Sequence, residues 1–179
     1  LFAPWFDREL SIAGRVAIAN GGAVLSELFD LREPLGVIPS LAIHLDREAN
    51  SGRKVNPHDE LVMVIGRAES DAEFDFKKWL ADRMDRSADE ISAFELCVYP
   101  VESATVAGLE QEFLLSARLD DLLRCFISIE ATLANETAEG VMVVLNDHEE
   151  VGSVSTSGAD GPFLESVLRR ASNQADFEA

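Results

Sequence analysis

Residues 141–145 (VMVVL) form an unbroken apolar run that stops abruptly at Asn146-Asp147-His148-Glu149-Glu150. A run of that length and β-branched content predicts a strand buried on both faces, as in the middle of a sheet covered by helices. Helical patterns flank it. Leu119 to Leu133 (LDDLLRCFISIEATL) sets Leu119, Leu122, Leu123, Phe126, Ile127, Ile129 and Leu133 on one side. A second helix is predicted from about Pro162 to Arg170, with the proline in its first turn. Helix, buried strand, loop and helix make an α/β pattern.

The earlier residues read differently. Residues 13–19 (AGRVAIA) alternate weakly as a strand. Asn20-Gly21-Gly22 follows as a tight turn, since Asn and Gly tolerate positive φ, and residues 23–31 return as the partner strand. Pro34 and Pro39 punctuate an irregular segment. Residues 41–45 (LAIHL) are short and apolar, and 46–60 read as a polar loop. Residues 61–65 (LVMVI) predict a strand. Residues 71–84 predict a helix with Phe74, Phe76, Trp79, Leu80 and Met84 as an imperfect stripe, and SADE at 87–90 matches a capping box. Residues 94–99 predict a strand stopped by Pro100. The character changes near Gly108. Glu139-Gly140 closes a loop, and the polar tail at 172–179 is expected to fray.

With 33 acidic against 15 basic residues, the formal charge is −18. Such a chain repels phosphate backbones and anionic surfaces, which argues against nucleic acid and membranes as partners. Nor does that charge explain binding of an acidic substrate, which needs a local cation. No apolar stretch reaches the roughly 20 residues of a membrane span. The opening LFAPWFDREL lacks the basic start and apolar run of a signal peptide and reads as sequence already inside a fold. The expectation is a soluble, cytoplasmic chain. Cys97 and Cys125 form no CxxC pair and are read as buried thiols. His44, His58 and His148 are too few and wrongly spaced for a CCHH zinc site.

Three places carry residues suited to chemistry. Glu149 and Glu150 follow a predicted strand end, where catalytic groups of α/β sheets gather. On extended backbone they point to opposite sides, so one can hold a metal while the other faces a substrate water. A solvated acidic loop is the alternative. Asp120 and Asp121 begin a predicted helix, where the macrodipole favours carboxylates, but hard oxygen donors there also suit a metal. His44 lies in an apolar run, either as a hydrogen-bonded core residue or as a functional one. His58 reads as solvated, and His148 either lines the site or supports it.

These segments occur together in an order that resembles the aspartyl aminopeptidases. The blocks are WFDRELSIAGRV (5–16), IPSLAIHLDREAN (38–50), NPHDEL (56–61), FLLSARLDDLLRC (113–125) and DHEEVGSVSTSGADGPFLESVLRR (147–170). The resemblance implies a strand-rich dimerisation domain over residues 1–108. It implies part of a three-layer α/β metallopeptidase catalytic domain over 109–179. It makes Asp120 the carboxylate bridging two metal ions, Glu149 the general base, and Glu150 a metal ligand. It makes His44 a substrate-binding residue that reaches into a neighbouring subunit's active site. Two Zn2+ ions per site are implied, with Co2+ or Mn2+ as substitutes. Also implied are a peptide substrate cut behind an N-terminal Asp or Glu, and self-association through dimers into a dodecamer.

The match is incomplete. The family's first metal-binding His lies upstream of the matched region, and a further Asp and His lie downstream. The matched residues supply only Asp120 and Glu150 as protein ligands, against about three for a catalytic zinc. This chain by itself is therefore expected to bind metal weakly and to lack peptidase activity. A non-catalytic dimerisation fragment or degenerate homologue is the competing reading. Asp121 stands where relatives commonly carry Asn. Its charge either raises the pKa of Asp120 by repulsion or turns away into solvent.

Overall fold

A computed structural model describes residues 2–67, 73–136 and 140–171. The chain is a mixed α/β structure that divides into two compact units, Leu1–Ser103 and Ala104–Ala179.

The first unit is built on a three-stranded antiparallel sheet of β1 (Leu10–Asn20), β2 (Ala23–Asp30) and β3 (Ile91–Pro100), in the order β2-β1-β3. Asn20 pairs with Ala23, leaving Gly21 and Gly22 as a two-residue loop with φ of 56° and 94°. Positive φ at both positions is what a type I′ hairpin requires, so the predicted turn forms for the predicted reason. Alternation along β1 turns Leu10, Ile12, Val16 and Ile18 inward. Phe29 of β2 and Ile91 of β3 join Ile12, Val16 and Ile18 in one buried cluster.

That cluster also holds Leu80 and Ala81 of α2 (Phe76–Arg83). Lys78 N–H donates to the Asp75 carboxylate at 2.9 Å, which caps the first turn. The predicted helix start at 71–72 lies outside the described residues. Of the predicted stripe, Leu80 is fully buried and Phe76, Trp79 and Met84 pack partly buried against the cluster, while Phe74 stays exposed. Burying a leucine of this kind contributes about 2 kcal/mol. At the next turn the Glu90 half of the predicted capping box is made, with Ser87 N–H donating to Glu90 at 2.8 Å.

Two expectations for this unit fail. Residues 61–65 do not form a strand. Only Val64 pairs, exchanging hydrogen bonds of 3.1 and 2.8 Å with Val37, and Val62 and Val64 remain exposed. Strand propensity supplies no ladder, and the one described partner lies between Pro34 and Pro39. Cys97 is exposed, not buried, and both cysteines are free thiols, with Cys125 half-buried. Leu96 and Val98 of β3 pack on the core, so Cys97 between them must face outward.

The second unit opens with an unpredicted hairpin of β4 (Thr105–Ala107) and β5 (Phe113–Leu115), with Gly108 at φ 102° where the chain turns. Helices α3 (Leu119–Leu133) and α4 (Phe163–Ala171) form where the periodicity places them. Residues 141–145 are not a strand, and Val141, Met142, Val144 and Leu145 are exposed. A central strand needs neighbours on both edges, and none pairs with this run among the described residues.

Candidate metal and catalytic site

The acids of the second unit sit on two irregular pieces of backbone. Arg118 adopts the left-handed region at φ 58° just before α3. Asp120 and Asp121 then depart from helical geometry, at φ/ψ of −86°/111° and −116°/15°, with a cis peptide between them. The regular helix starts after them. Their carboxylates engage side chains one turn on: Asp120 pairs with the Arg124 guanidinium, and Asp121 accepts from Cys125 Sγ at 3.7 Å. A plain capping role is therefore not what the geometry shows.

Glu149 and Glu150 lie in a single 3-10 turn, Glu149–Val151, entered through His148 at φ 58° and left through Gly152 at φ 101°. The expectation of extended backbone is wrong here. At three residues per turn the two carboxylates diverge by about 120° and not by a half-turn. The turn is fastened from outside. His148 Nδ1 lies 2.7 Å from Ser155 Oγ, which also accepts from Gly158 N–H at 3.1 Å. Asp147 N–H donates to the Ser157 carbonyl at 3.1 Å, and Ser153 N–H to the His148 carbonyl at 2.8 Å. His148 thus supports the turn.

The two pieces meet at a cavity of about 200 Å³ whose lining includes Asp121, Arg124 and Cys125 from α3, with Asn146, Glu149 and Ser153 opposite. Asp121 lines this cavity and remains exposed to solvent. Arg124 is its electrostatic centre. The hydrogen bond it donates to Asp120 holds its guanidinium above the usual value, and the charges of Asp120, Asp121 and Glu149 add to the effect. Burial, with Asp121 adding to it, pushes the Cys125 thiol up. Asp121 and Glu149 line the cavity with Arg124, which pairs with Asp120; Asp120 and Glu150 are not in the lining, and all four acids are exposed.

The donor chemistry is that of hard carboxylate oxygens, which suits zinc only in part. Among the described residues, no group of three or more His, Cys, Asp or Glu side chains is arranged to hold a metal ion. Sequence reasoning missed Arg124, although its position four residues after Asp120 is a readable helical ion-pair spacing. It also missed Ser155, whose contact depends on how the loop closes.

His44 belongs to the first unit, in a turn closed by Leu45 and Asp46 N–H groups donating to the Ala42 carbonyl at 2.8 and 3.1 Å. It is exposed, as are Leu41, Ile43 and Leu45, so the reading as a core histidine fails. His58 is exposed in the short helix α1 (Pro57–Glu60). No helix among the described residues is long and apolar enough to cross a membrane.

Comparison with known proteins places this geometry in context. The chain is 49% identical over 174 residues to a probable M18 family aminopeptidase 2 of Azotobacter vinelandii, a match covering 95% of this chain and 41% of the relative. It is similar to the structure of Chaetomium thermophilum mApe1, with TM-score 0.81 and 30% identity over 96% of this chain and 42% of that one. It is also similar to the S. cerevisiae mApe1 dodecamer, with TM-score 0.69 and 25% identity over 96% of this chain and 40% of that one. The chain spans about two fifths of the length of the curated relatives it matches. Since the aminopeptidase I zinc metalloprotease (M18) family matches across residues 1–178, the chain belongs to that family.

Proposed function

We propose that this chain is the dimerisation domain and part of the catalytic domain of a zinc-dependent aminopeptidase that removes N-terminal residues, Asp and Glu in particular, from peptides. The observation that carries the reading is a cavity lined by Asp121, Glu149 and Arg124, with Asp120 paired to that same arginine. Membership of a zinc metalloprotease family supports it. Asp120 and Glu150 would serve as metal ligands, together with residues outside the two fifths of the relatives' length that this chain spans. Zinc, or Co2+ or Mn2+ in its place, would supply a Lewis acid for the scissile carbonyl. Glu149 would take the proton of the attacking water and hand it to the leaving amine. The three-layer catalytic domain would form when 141–145 gains strand neighbours and α3 gains cover. His44 would reach a neighbouring subunit's site within a homo-oligomer, a dodecamer in this reading, working in the cytoplasm.

The test is Glu149→Gln in the full-length protein, assayed on peptides with N-terminal Asp. Loss of the base is expected to lower kcat by about 10²–10⁴-fold, with zinc content unchanged. Activity within threefold of the unsubstituted enzyme would remove Glu149 from the mechanism. A panel of N-terminal Asp, Glu, Ala and Leu peptides tests the substrate class. The 179-residue chain alone is expected to bind zinc weakly and to cleave none of them.

A further inference from the structure

The first unit carries a long excursion between two anchored points. Its base is fixed at Ile38, which bridges Phe6, and at Val64, which bridges Val37. Asp7 reinforces the base by donating its N–H to the Ile38 carbonyl at 2.9 Å and accepting from Ser40 N–H at 2.8 Å. Between these points the chain makes turns and the four-residue helix α1, and it exposes Leu41, Ile43, His44 and Leu45. An excursion of this length without a core of its own is mobile unless something fastens it.

One side chain does so. Arg53 Nε lies 3.1 Å from Asp46 Oδ2, and Arg53 Nη2 lies 2.6 Å from Glu60 Oε1. The guanidinium carbon stands 4.6 Å from the centre of the Phe6 ring. The second Glu60 oxygen accepts from Asn56 N–H at 2.6 Å, locking the start of α1. The side chains of Arg53 and Asp46 are only 18% and 14% exposed, which sets them apart from the surface ion pairs elsewhere in the chain. The Arg53 bond holds the Glu60 carboxyl below its ordinary range. A half-buried ion triad adds little net stability, because desolvation offsets most of the attraction. What the planar fork adds is fixed geometry. Asp46 closes the turn that carries His44, two residues away, so Arg53 ties that turn to the Phe6 platform.

We infer that Arg53 is a positioning residue for His44, clamping the turn 42–46 so that His44 is presented in one orientation. This rests on the proposed role of His44 in peptide hydrolysis. The test is a double-mutant cycle in the full-length enzyme, with Arg53→Met, His44→Ala and the pair assayed for kcat/KM on an N-terminal Asp peptide. His44→Ala is expected to lower kcat/KM tenfold or more, and Arg53→Met to reproduce at least a third of that loss. Arg53→Met added to His44→Ala is expected to change it less than twofold. Arg53→Lys should recover only part, because an ammonium cannot bridge both carboxylates. A merely structural arginine would lower kcat/KM by the same factor in both backgrounds, and that result, or an Arg53→Met enzyme with unchanged kcat/KM, overturns the inference. A silent His44→Ala instead removes the role of His44 itself and the inference with it, and Glu149→Gln reports separately on the peptidase reading.

Discussion

Gly14 sits in β1 where an added side chain would run into the backbone of β3. It pairs with Leu96 across β1 and β3, and a Cβ placed on it would stand 2.0 Å from the Glu95 carbonyl oxygen and 2.9 Å from Leu96 Cα. Both contacts are backbone, so no rotamer change relieves them. In Gly14→Ala, a tolerable carbon–oxygen distance of about 3.2 Å requires the strands to part by roughly 1 Å from the usual spacing near 4.8 Å. That opening weakens the neighbouring ladder bonds, at about 1 kcal/mol each, and adds an overpacking cost of about 1–3 kcal/mol. A loss of about 3–5 kcal/mol is expected, read as a fall in the urea midpoint with the slope unchanged. Gly66→Ala is the control, since nothing lies within 4 Å of its added carbon, and it should stay within about 0.5 kcal/mol. A Gly14→Ala loss below about 1 kcal/mol would show that the strands do not approach as closely as described.

Leu80→Ala should destabilise the chain by about 2–5 kcal/mol in the same measurement, because Leu80 is fully buried among Val16, Ile18 and Ile91. Acid should weaken the fold. Tyr99 and Arg32 hold Asp30 below its ordinary value, Ser40 does the same for Asp7, and Arg53 for Glu60. The unfolded chain then binds more protons, so this stabilisation is present above the ordinary carboxylate range and disappears as pH falls through the lower folded values. Thermal melts between pH 6 and 3 should show Tm dropping, with a smaller drop in Tyr99→Phe, which lacks the 2.5 Å bond to Asp30. Brief maleimide labelling followed by peptide mapping should modify Cys97 ahead of Cys125, because Cys97 is exposed and burial pushes the Cys125 thiol up. The reverse order would contradict the outward face assigned to β3.

What could be read from the residues was what adjacent residues decide. Asn20-Gly21-Gly22 can turn only in certain ways, and α3 and α4 announce their period. Residues 61–65 and 141–145 have equally strong local signals, yet neither becomes a strand, because a ladder depends on a partner that composition does not reveal. The site shows the same division. Acids at 120, 121, 149 and 150 were visible, but the left-handed Arg118 and His148 that aim them were not. Nor was the 3-10 turn that replaces the expected extended backbone, since two neighbouring glutamates fit either geometry.

The two units differ in how their apolar residues are used, and this bears on the chemistry. Every buried large hydrophobic residue described belongs to Leu1–Ser103. In Ala104–Ala179 the apolar side of α3 is open, with Phe126 at 60% and Ile127 at 55% exposure, and Leu145 stands at 53% just before the acidic turn. Burying such a side chain is worth about 1.5–3 kcal/mol. Covering Leu122, Leu123, Phe126 and Ile127 would therefore bring more to this unit than the hydrogen bonds that now hold its acids. Carboxylates placed for catalysis need positions good to about half an ångström, which packing beneath them supplies. Arg124 pairs with Asp120 and shares a cavity with Asp121 and Glu149, while the apolar side of α3 is exposed. On the proposed reading, the precision of this site would be set by whatever covers α3 and 141–145, so substitutions among the acids belong in the full-length protein.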